Sequence, residues 1–294
     1  MLDSHPLLAI TREAEFIAPM AMKRSAYERR DGFEIEKFAK ELSATKASRV
    51  LSMTSSELLD ALLRARPSNY PEAVHGIYSA YAASRGKTIY GDKTPKYVLS
   101  LELLAKTFPD SRFIHLVRDG RDVALSFMNF ATGPNTIPEA AAHWRRMVTA
   151  GERAGKILGS KKYHEVRFEA LVKEPQHELS AICEFLGIEF SHQMLEYHRR
   201  PRAELASNPT KAVDRSPATD TRNWRTDMSP IDRTRFEAIA GDLLERLGYE
   251  RSSPVSTLAS SAARVVVGGK FSIRRLGAAW KRLRRALASL HTGR

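Results

Sequence analysis

Two arginines, two aspartates and a serine fall within nine residues, 118 to 126, of the stretch "RFIHLVRDGRDVALSF" (112–127). Those residue types at that spacing can hold an anion. Phe113 to Val117 is apolar enough to predict a strand covered on both faces, and Asp119-Gly120 breaks it at its carboxyl end, where open α/β sheets place ligands. Asp122 is placed to cap the helix that follows, with Ser126 about one turn inside. A helix N-terminus beside Arg118, Arg121 and the Ser126 hydroxyl is a seat for phosphate, because backbone N–H groups, dipole and guanidinium all favour negative charge. The same four charged residues also read as an exposed ion-pair cluster of little energetic weight.

A second cation stands in "IYGDKTP" (89–95), where Lys93 closes another apolar run. Thr94 and Pro95 read as N-cap and first residue of the next helix. "RGKT" (85–88) ends like a nucleotide-binding loop, but position 81 is tyrosine where that loop needs glycine. A helix precedes it and a strand follows, the reverse of the order required.

The elements that must position these groups alternate along the chain. "TIY" (88–90), "RFIHLV" (112–117) and "YHEVRF" (163–168) are short and apolar or β-branched, which predicts strands. Between and after them, "TPKYVLSLELLAKTF", "PEAAAHWRRMVTAGERAGKIL" (138–158), "EPQHELSAICEFLG" (174–187) and "SPIDRTRFEAIAGDLLERLG" (229–248) carry apolar residues at helical spacing. Strand-helix alternation implies an α/β domain with a parallel sheet flanked by helices. Residues 34–85 read as a helical insertion or cap, and the polar stretch 201–227 as a long surface loop.

Composition narrows the classes. A chain of 294 residues, 43% hydrophobic, can bury one large core. The one cysteine, Cys183, excludes an internal disulfide and a cysteine-based zinc cluster, and points to a reducing, cytoplasmic setting. The net charge of +13 suggests nucleic acid, yet residues 251–294 hold ten Lys/Arg and no Asp/Glu, so the remainder is nearly balanced. We expect no nucleic-acid partner. The basic object is the tail, where Ile273, Leu276, Trp280, Leu283, Leu287 and Leu290 recur at spacings of three and four among arginines and lysines. That pattern predicts a basic amphipathic helix suited to an anionic membrane surface, with docking on its own domain as the alternative. The expected organisation is a domain at 1–250, a linker at 251–263 and the tail at 264–294.

The succession "DKTPKYVLSLELLAKTFPDSRFIHLVRDGRDVALSF", "VRFEALVKEP", "ICEFLGIEF" and "LERLGY" resembles the sulfotransferases that use 3′-phosphoadenosine 5′-phosphosulfate (PAPS), in the branch with bacterial carbohydrate-type and protein-tyrosine enzymes. The resemblance implies a P-loop-type α/β fold and PAPS as co-substrate, with no metal. It places Arg118 and Ser126 on the 3′-phosphate, Arg167 at the nucleotide site, and Lys93 beside the oxygen that leaves the sulfuryl group. It places Glu13, in "TREAEFI", as the base for the acceptor hydroxyl, with Glu15 in reserve; a solvated carboxylate is the plainer reading of either. His5 reads as a structural histidine. Members of the family carry a strand and a Pro-Arg-Ser-Gly-Thr-Thr loop before Leu-Asp-Ser-His-Pro, the point at which this sequence starts. Two readings follow: sulfuryl transfer to a hydroxyl of a carbohydrate, glycolipid or similar acceptor, or a non-catalytic remnant that binds a 3′-phosphonucleotide, a membrane surface or both.

Overall fold

A computed structural model of the chain describes residues 1–130, 133–199 and 223–252. The linker expected at 251–263, apart from Arg251 and Ser252, and the tail at 264–294 lie outside these residues, as does the stretch 200–222. The described residues form two compact units, one of residues 1–117 and 150–199, the other of 118–130, 133–149 and 223–252.

In the first unit, β1 (Leu8–Arg12) leads through the short helix α1 (Ile17–Ala21) to a hairpin of two-residue strands, β2 (Glu28–Arg29) and β3 (Gly32–Phe33). Four helices follow: α2 (Ile35–Ser43), α3 (Ala47–Leu51), α4 (Ser55–Ala65) and α5 (Tyr70–Ser84). Their starts are written locally. Thr54 and Glu57 form a reciprocal capping box for α4, and Asn69 caps α5 with Pro71 just inside it. These helices bury Phe38, Leu42, Leu58, Leu62, Tyr70, Ile77 and Tyr78 together with Tyr27 in one core, against which Tyr90 and Phe113 also pack.

The strands β4 (Ile89–Lys93), β5 (Phe113–Val117) and β6 (Tyr163–Arg167) complete the unit with α6 (Leu101–Thr107), the part of α8 (Ile137–Leu158) from Ala150 onward, α9 (Phe168–Lys173) and α10 (Pro175–Leu186). Pairing is parallel: β1 with β4, Leu8 opposite Ile89 through Arg12 opposite Lys93, and β5 with β6, Phe113 opposite Tyr163 through Val117 opposite Arg167. One face of the β5–β6 pair covers a smaller core of Leu179, Ile182, Cys183 and Met194 through Ile114 and Val166. The expected strands and parallel pairing are present, but β5 is not covered on both faces. Leu116 is 51% exposed, because among the described residues each parallel pair has only two strands.

The second unit holds α7 (Gly120–Phe127), the part of α8 (Ile137–Leu158) up to Thr149, α11 (Trp224–Asp227) and α12 (Pro230–Arg246). The surface loop expected over 201–227 therefore ends in a helix, which Asn223 caps and which buries Trp224. No helix among the described residues is long and apolar enough to cross a membrane.

Candidate active site

In the first unit the parallel register of β1 and β4 brings two of the expected residues together. Arg12 stands opposite Lys93, so the next residue, Glu13, donates its N–H to the Lys93 carbonyl at 2.9 Å. The Lys93 Nζ in turn donates to Glu13 Oε1 at 2.9 Å, and both side chains are about half exposed. Glu13 reaches this geometry with φ at 29°, and Glu15 with φ at 58°, on either side of the buried Ala14. A positive φ is strained for a residue with a Cβ, at about 1–3 kcal/mol each, and persists where surrounding structure over-determines it.

Glu15 faces different cations: its Oε1 meets Lys46 Nζ at 2.8 Å and Lys96 Nζ at 3.5 Å. Partial burial pushes its carboxyl up, but the hydrogen bond and charge of Lys46, with Lys96 behind them, outweigh that and hold it below its ordinary value. Glu13 alone of the two pairs with Lys93.

Asp92 underpins this end of the pair, a role that no local pattern marks. Its Oδ2 accepts from the Thr11 hydroxyl at 2.9 Å and from the Tyr78 hydroxyl at 2.6 Å, and its Oδ1 from the Thr94 hydroxyl. Thr94 does occupy the N-cap position before a 3₁₀ turn, Pro95–Ser100, but makes no side-chain cap; its hydroxyl donates to Asp92 instead. His5 is structural: Nδ1 accepts from Leu7 N–H at 3.0 Å, which leaves Nε2 to donate to the Glu189 carbonyl at 2.8 Å.

In the second unit the two arginines of the Arg-Asp-Gly-Arg-Asp run part company. Arg121 has no exposure at all. Its Nε and Nη2 grip Asp119 at 3.1 and 2.7 Å, its Nη1 donates to Glu237 at 2.9 Å, and its guanidinium lies 3.4 Å from the centre of the Trp224 ring. It belongs to the core and is no phosphate ligand. Asp119, not Asp122, caps α7, accepting from Arg121 N–H at 2.9 Å, while Asp122 accepts from Trp224 N–H at 2.8 Å. Gly120 is required by close approach: a Cβ there would lie 2.4 Å from Trp144 and 2.6 Å from Phe236.

Arg118, unlike Arg121, is partly exposed. Its Nη2 lies 3.5 Å from Asp122 Oδ2, a long contact, and its side chain is 21% exposed. Ser126 is half-buried and one residue from the end of α7, so it is not one turn inside the helix but about 9 Å along its axis. Residues 122 and 126 share a face of α7 by their spacing of four, while Arg118 precedes the N-cap and meets Asp122 from outside the helix. Arg167, the last residue of β6 in the first unit, pairs through Nε with Glu165 Oε1 at 3.3 Å.

Residues 1–192 match the model of the sulfotransferase family. The chain belongs to that family. Among curated relatives it is 28% identical over 205 residues to the nodulation protein NoeE of Sinorhizobium fredii, covering 60% of this chain and 48% of that protein. It is 25% identical over 269 residues to protein-tyrosine sulfotransferase 2 of Gallus gallus, covering 85% of this chain and 65% of the relative. The chain thus spans about half to two-thirds of the length of these family members. The sulfotransferase domain of the Synechococcus PCC 7002 olefin synthase is similar in fold, with a TM-score of 0.58 at 20% identity over 85% of this chain and 88% of that domain. Among the described residues no group of three or more His, Cys, Asp or Glu is arranged to hold a metal ion.

Proposed function

We propose that this chain transfers a sulfuryl group from PAPS to a hydroxyl of a carbohydrate, glycolipid or similar acceptor. The observation that carries the reading is the Glu13–Lys93 pair, a proton acceptor and a cation side by side at adjacent strand ends. Family membership and the half-exposed position of both side chains support it.

Bound PAPS supplies an electrophilic sulfur and a phosphate leaving group. Glu13 takes the proton of the acceptor hydroxyl as the hydroxyl oxygen bonds to sulfur and the bond from sulfur to the nucleotide oxygen breaks. Lys93 meets the negative charge that develops on the departing oxygen. Positioning and electrostatics carry the rate, as in phosphoryl transfer. The 3′-phosphate is assigned to Arg118 and Ser126. The residue types fit, since a guanidinium and a hydroxyl both donate to phosphate, and the Arg118–Asp122 contact at 3.5 Å is long. Arg167 is assigned to the nucleotide. The sequence pattern of the tail supports a cytoplasmic protein held at an anionic membrane face.

The test is transfer of labelled sulfate from PAPS to carbohydrate, phenol and lipid-alcohol acceptors. Glu13→Gln or Lys93→Ala is expected to lower turnover by about 10²-fold or more while leaving the affinity for adenosine 3′,5′-bisphosphate unchanged. Arg118→Ala is expected to weaken that affinity by about 1.5–3 kcal/mol. Full turnover in Glu13→Gln would remove it as the base, and unchanged affinity in Arg118→Ala would remove the phosphate site.

A further inference from the structure

Around Arg167, at the end of β6, lie titratable side chains that none of the steps above uses. His115 on β5 and Tyr163, Glu165 and Arg167 on β6 share one face of the parallel pair by the two-residue period of the strands. The helix α8 closes over that face at glycines: a Cβ on Gly151 would sit 2.3 Å from the His115 ring, and one on Gly155 would sit 2.5 Å from the Tyr163 ring. Two glycines four residues apart therefore let the helix backbone down onto the rings and shield what lies beside them.

Within this layer Glu165 touches two neighbours that differ in charge. Its Oε1 is 3.3 Å from Arg167 Nε and its Oε2 is 4.0 Å from His115 Nδ1. The same His115 nitrogen is hydrogen-bonded to the Tyr163 hydroxyl at 2.5 Å. Burial lowers the His115 pKa to about 4, so near neutral pH the ring is uncharged and Arg167 is the cation that Glu165 serves. The ion pair is made through Nε, which an end-on bidentate contact to phosphate does not use. A carboxylate at that nitrogen sets the plane and direction of the guanidinium without competing for the same edge.

We propose that Glu165 is a positioning residue: it holds the Arg167 guanidinium in the orientation in which Arg167 meets the nucleotide. The assignment rests on the reading of Arg167 given above. Glu165 is half-buried, and titratable groups face it from each strand of the pair and from α8. Arg167 and Tyr163 flank it on its own strand, His115 faces it from β5, and the charge of Glu152 reaches it from α8. Burial raises its carboxyl above the ordinary value and the Glu152 charge adds to this, against the pull of Arg167. Mild acid therefore discharges Glu165 earlier than a solvated glutamate and frees the arginine from its guide.

Calorimetry of adenosine 3′,5′-bisphosphate binding to the full chain decides the matter, using wild type, Arg167→Ala, Glu165→Gln, Glu165→Asp and the Glu165→Gln/Arg167→Ala double variant. Near pH 7.5, Arg167→Ala is expected to weaken binding, Glu165→Gln to weaken it about threefold to tenfold, and the double variant to be no weaker than Arg167→Ala alone. Glu165→Asp keeps the charge and should lie between wild type and Glu165→Gln. The ligand's own phosphate titrates near pH 6. The diagnostic quantity is therefore the ratio of wild-type to Arg167→Ala affinity, in which that titration cancels. The ratio should shrink from pH 8 to pH 5, and the corresponding ratio for Glu165→Gln should stay flat. If Arg167→Ala binds as wild type does, the nucleotide role of Arg167 fails and the proposal with it. If Arg167→Ala weakens binding while Glu165→Gln does not, or the two losses simply add, the proposal alone is overturned and Arg167 stands. A Glu165→Gln chain that does not fold leaves the wild-type ratio, and a flat ratio there overturns the proposal equally.

Discussion

Replacing Arg121 by alanine should destabilise the second unit without removing a direct ligand contact. The side chain is wholly buried between two carboxylates that are themselves buried, Asp119 at 5% and Glu237 at 1% exposure. Removal strips three charge-assisted hydrogen bonds and a stacked ring, and leaves two anions without their cation. Glu237 keeps the Ser252 N–H and hydroxyl, at 3.0 and 2.8 Å, and Asp119 keeps the backbone N–H of residue 121, but these are no substitute for the guanidinium charge. Breaking a buried pair by deleting one partner destabilises by about 3–5 kcal/mol, most of it the desolvation of the charge left behind. For a chain of this size that is a fall in Tm of roughly 6–20 °C. Urea unfolding followed by tryptophan fluorescence gives the number, since Trp224 stacks on the arginine and Trp144 packs on Gly120. Arg121→Lys should recover only part of the loss, because one ammonium cannot serve both carboxylates in the geometry of a guanidinium fork. Arg118→Ala, three residues earlier, should cost less, because its contact with Asp122 is long and Asp122 keeps the Trp224 N–H. If Arg121→Ala were no less stable than Arg118→Ala, the division of labour drawn between the two arginines would be wrong.

Glu13→Gly should raise stability by about 0.5–1 kcal/mol in urea unfolding through relief of the left-handed backbone, and should abolish turnover; a destabilised variant would show that the Lys93 pair outweighs the strain. Gly120→Ala should destabilise by at least about 1–3 kcal/mol, measured by the same unfolding, since Trp144 and Phe236 must both retreat. His115 has its folded pKa lowered to about 4, so its contribution is present above about pH 6.5 and is lost as pH falls toward 4. Wild type should therefore lose up to about 3 kcal/mol more than His115→Gln over that range, and equal losses would refute the burial of a neutral ring.

Much of the framework was legible because it is local. The strand β5 is a largely apolar run with a clear stop, and α4, α5 and α12 begin at capping residues that declare themselves within four positions. What escaped was decided at long range. The run Leu8–Arg12 becomes a strand although Thr11 and Arg12 dilute its pattern, because Asp92 on the partner strand accepts the buried Thr11 hydroxyl. The hairpin of two-residue strands is too short for periodicity to reveal. Arg118 and Arg121 look equivalent beside a helix start, and only Glu237 and Trp224, more than a hundred residues on, separate them. For the same reason spacing favoured Asp122 as the cap, whereas Trp224 claims its carboxylate and leaves the cap to Asp119. The left-handed conformation of Glu13 and Glu15 carries no sequence mark, since both are glutamates where glycine would be the usual choice.

The separation of the paired strands along the chain bears on how the site comes to exist. Glu13 and Lys93 are 80 residues apart, whereas Phe113 and Tyr163 in the other pair are 50 apart. Loop-closure entropy distinguishes the two by only about 0.4 kcal/mol, too little to set an order of assembly. The helices α2 to α5, whose contacts are local and quick to form, lie entirely within the longer span and shorten it as they condense. The proposed base and cation should then meet only after that helical layer has formed, late in folding. A cavity-forming change deep in the layer, such as Leu58→Ala, would not alter the chemistry of each finished molecule. It would lower the fraction of molecules that finish, and titration of competent sites would separate that fraction from turnover per site.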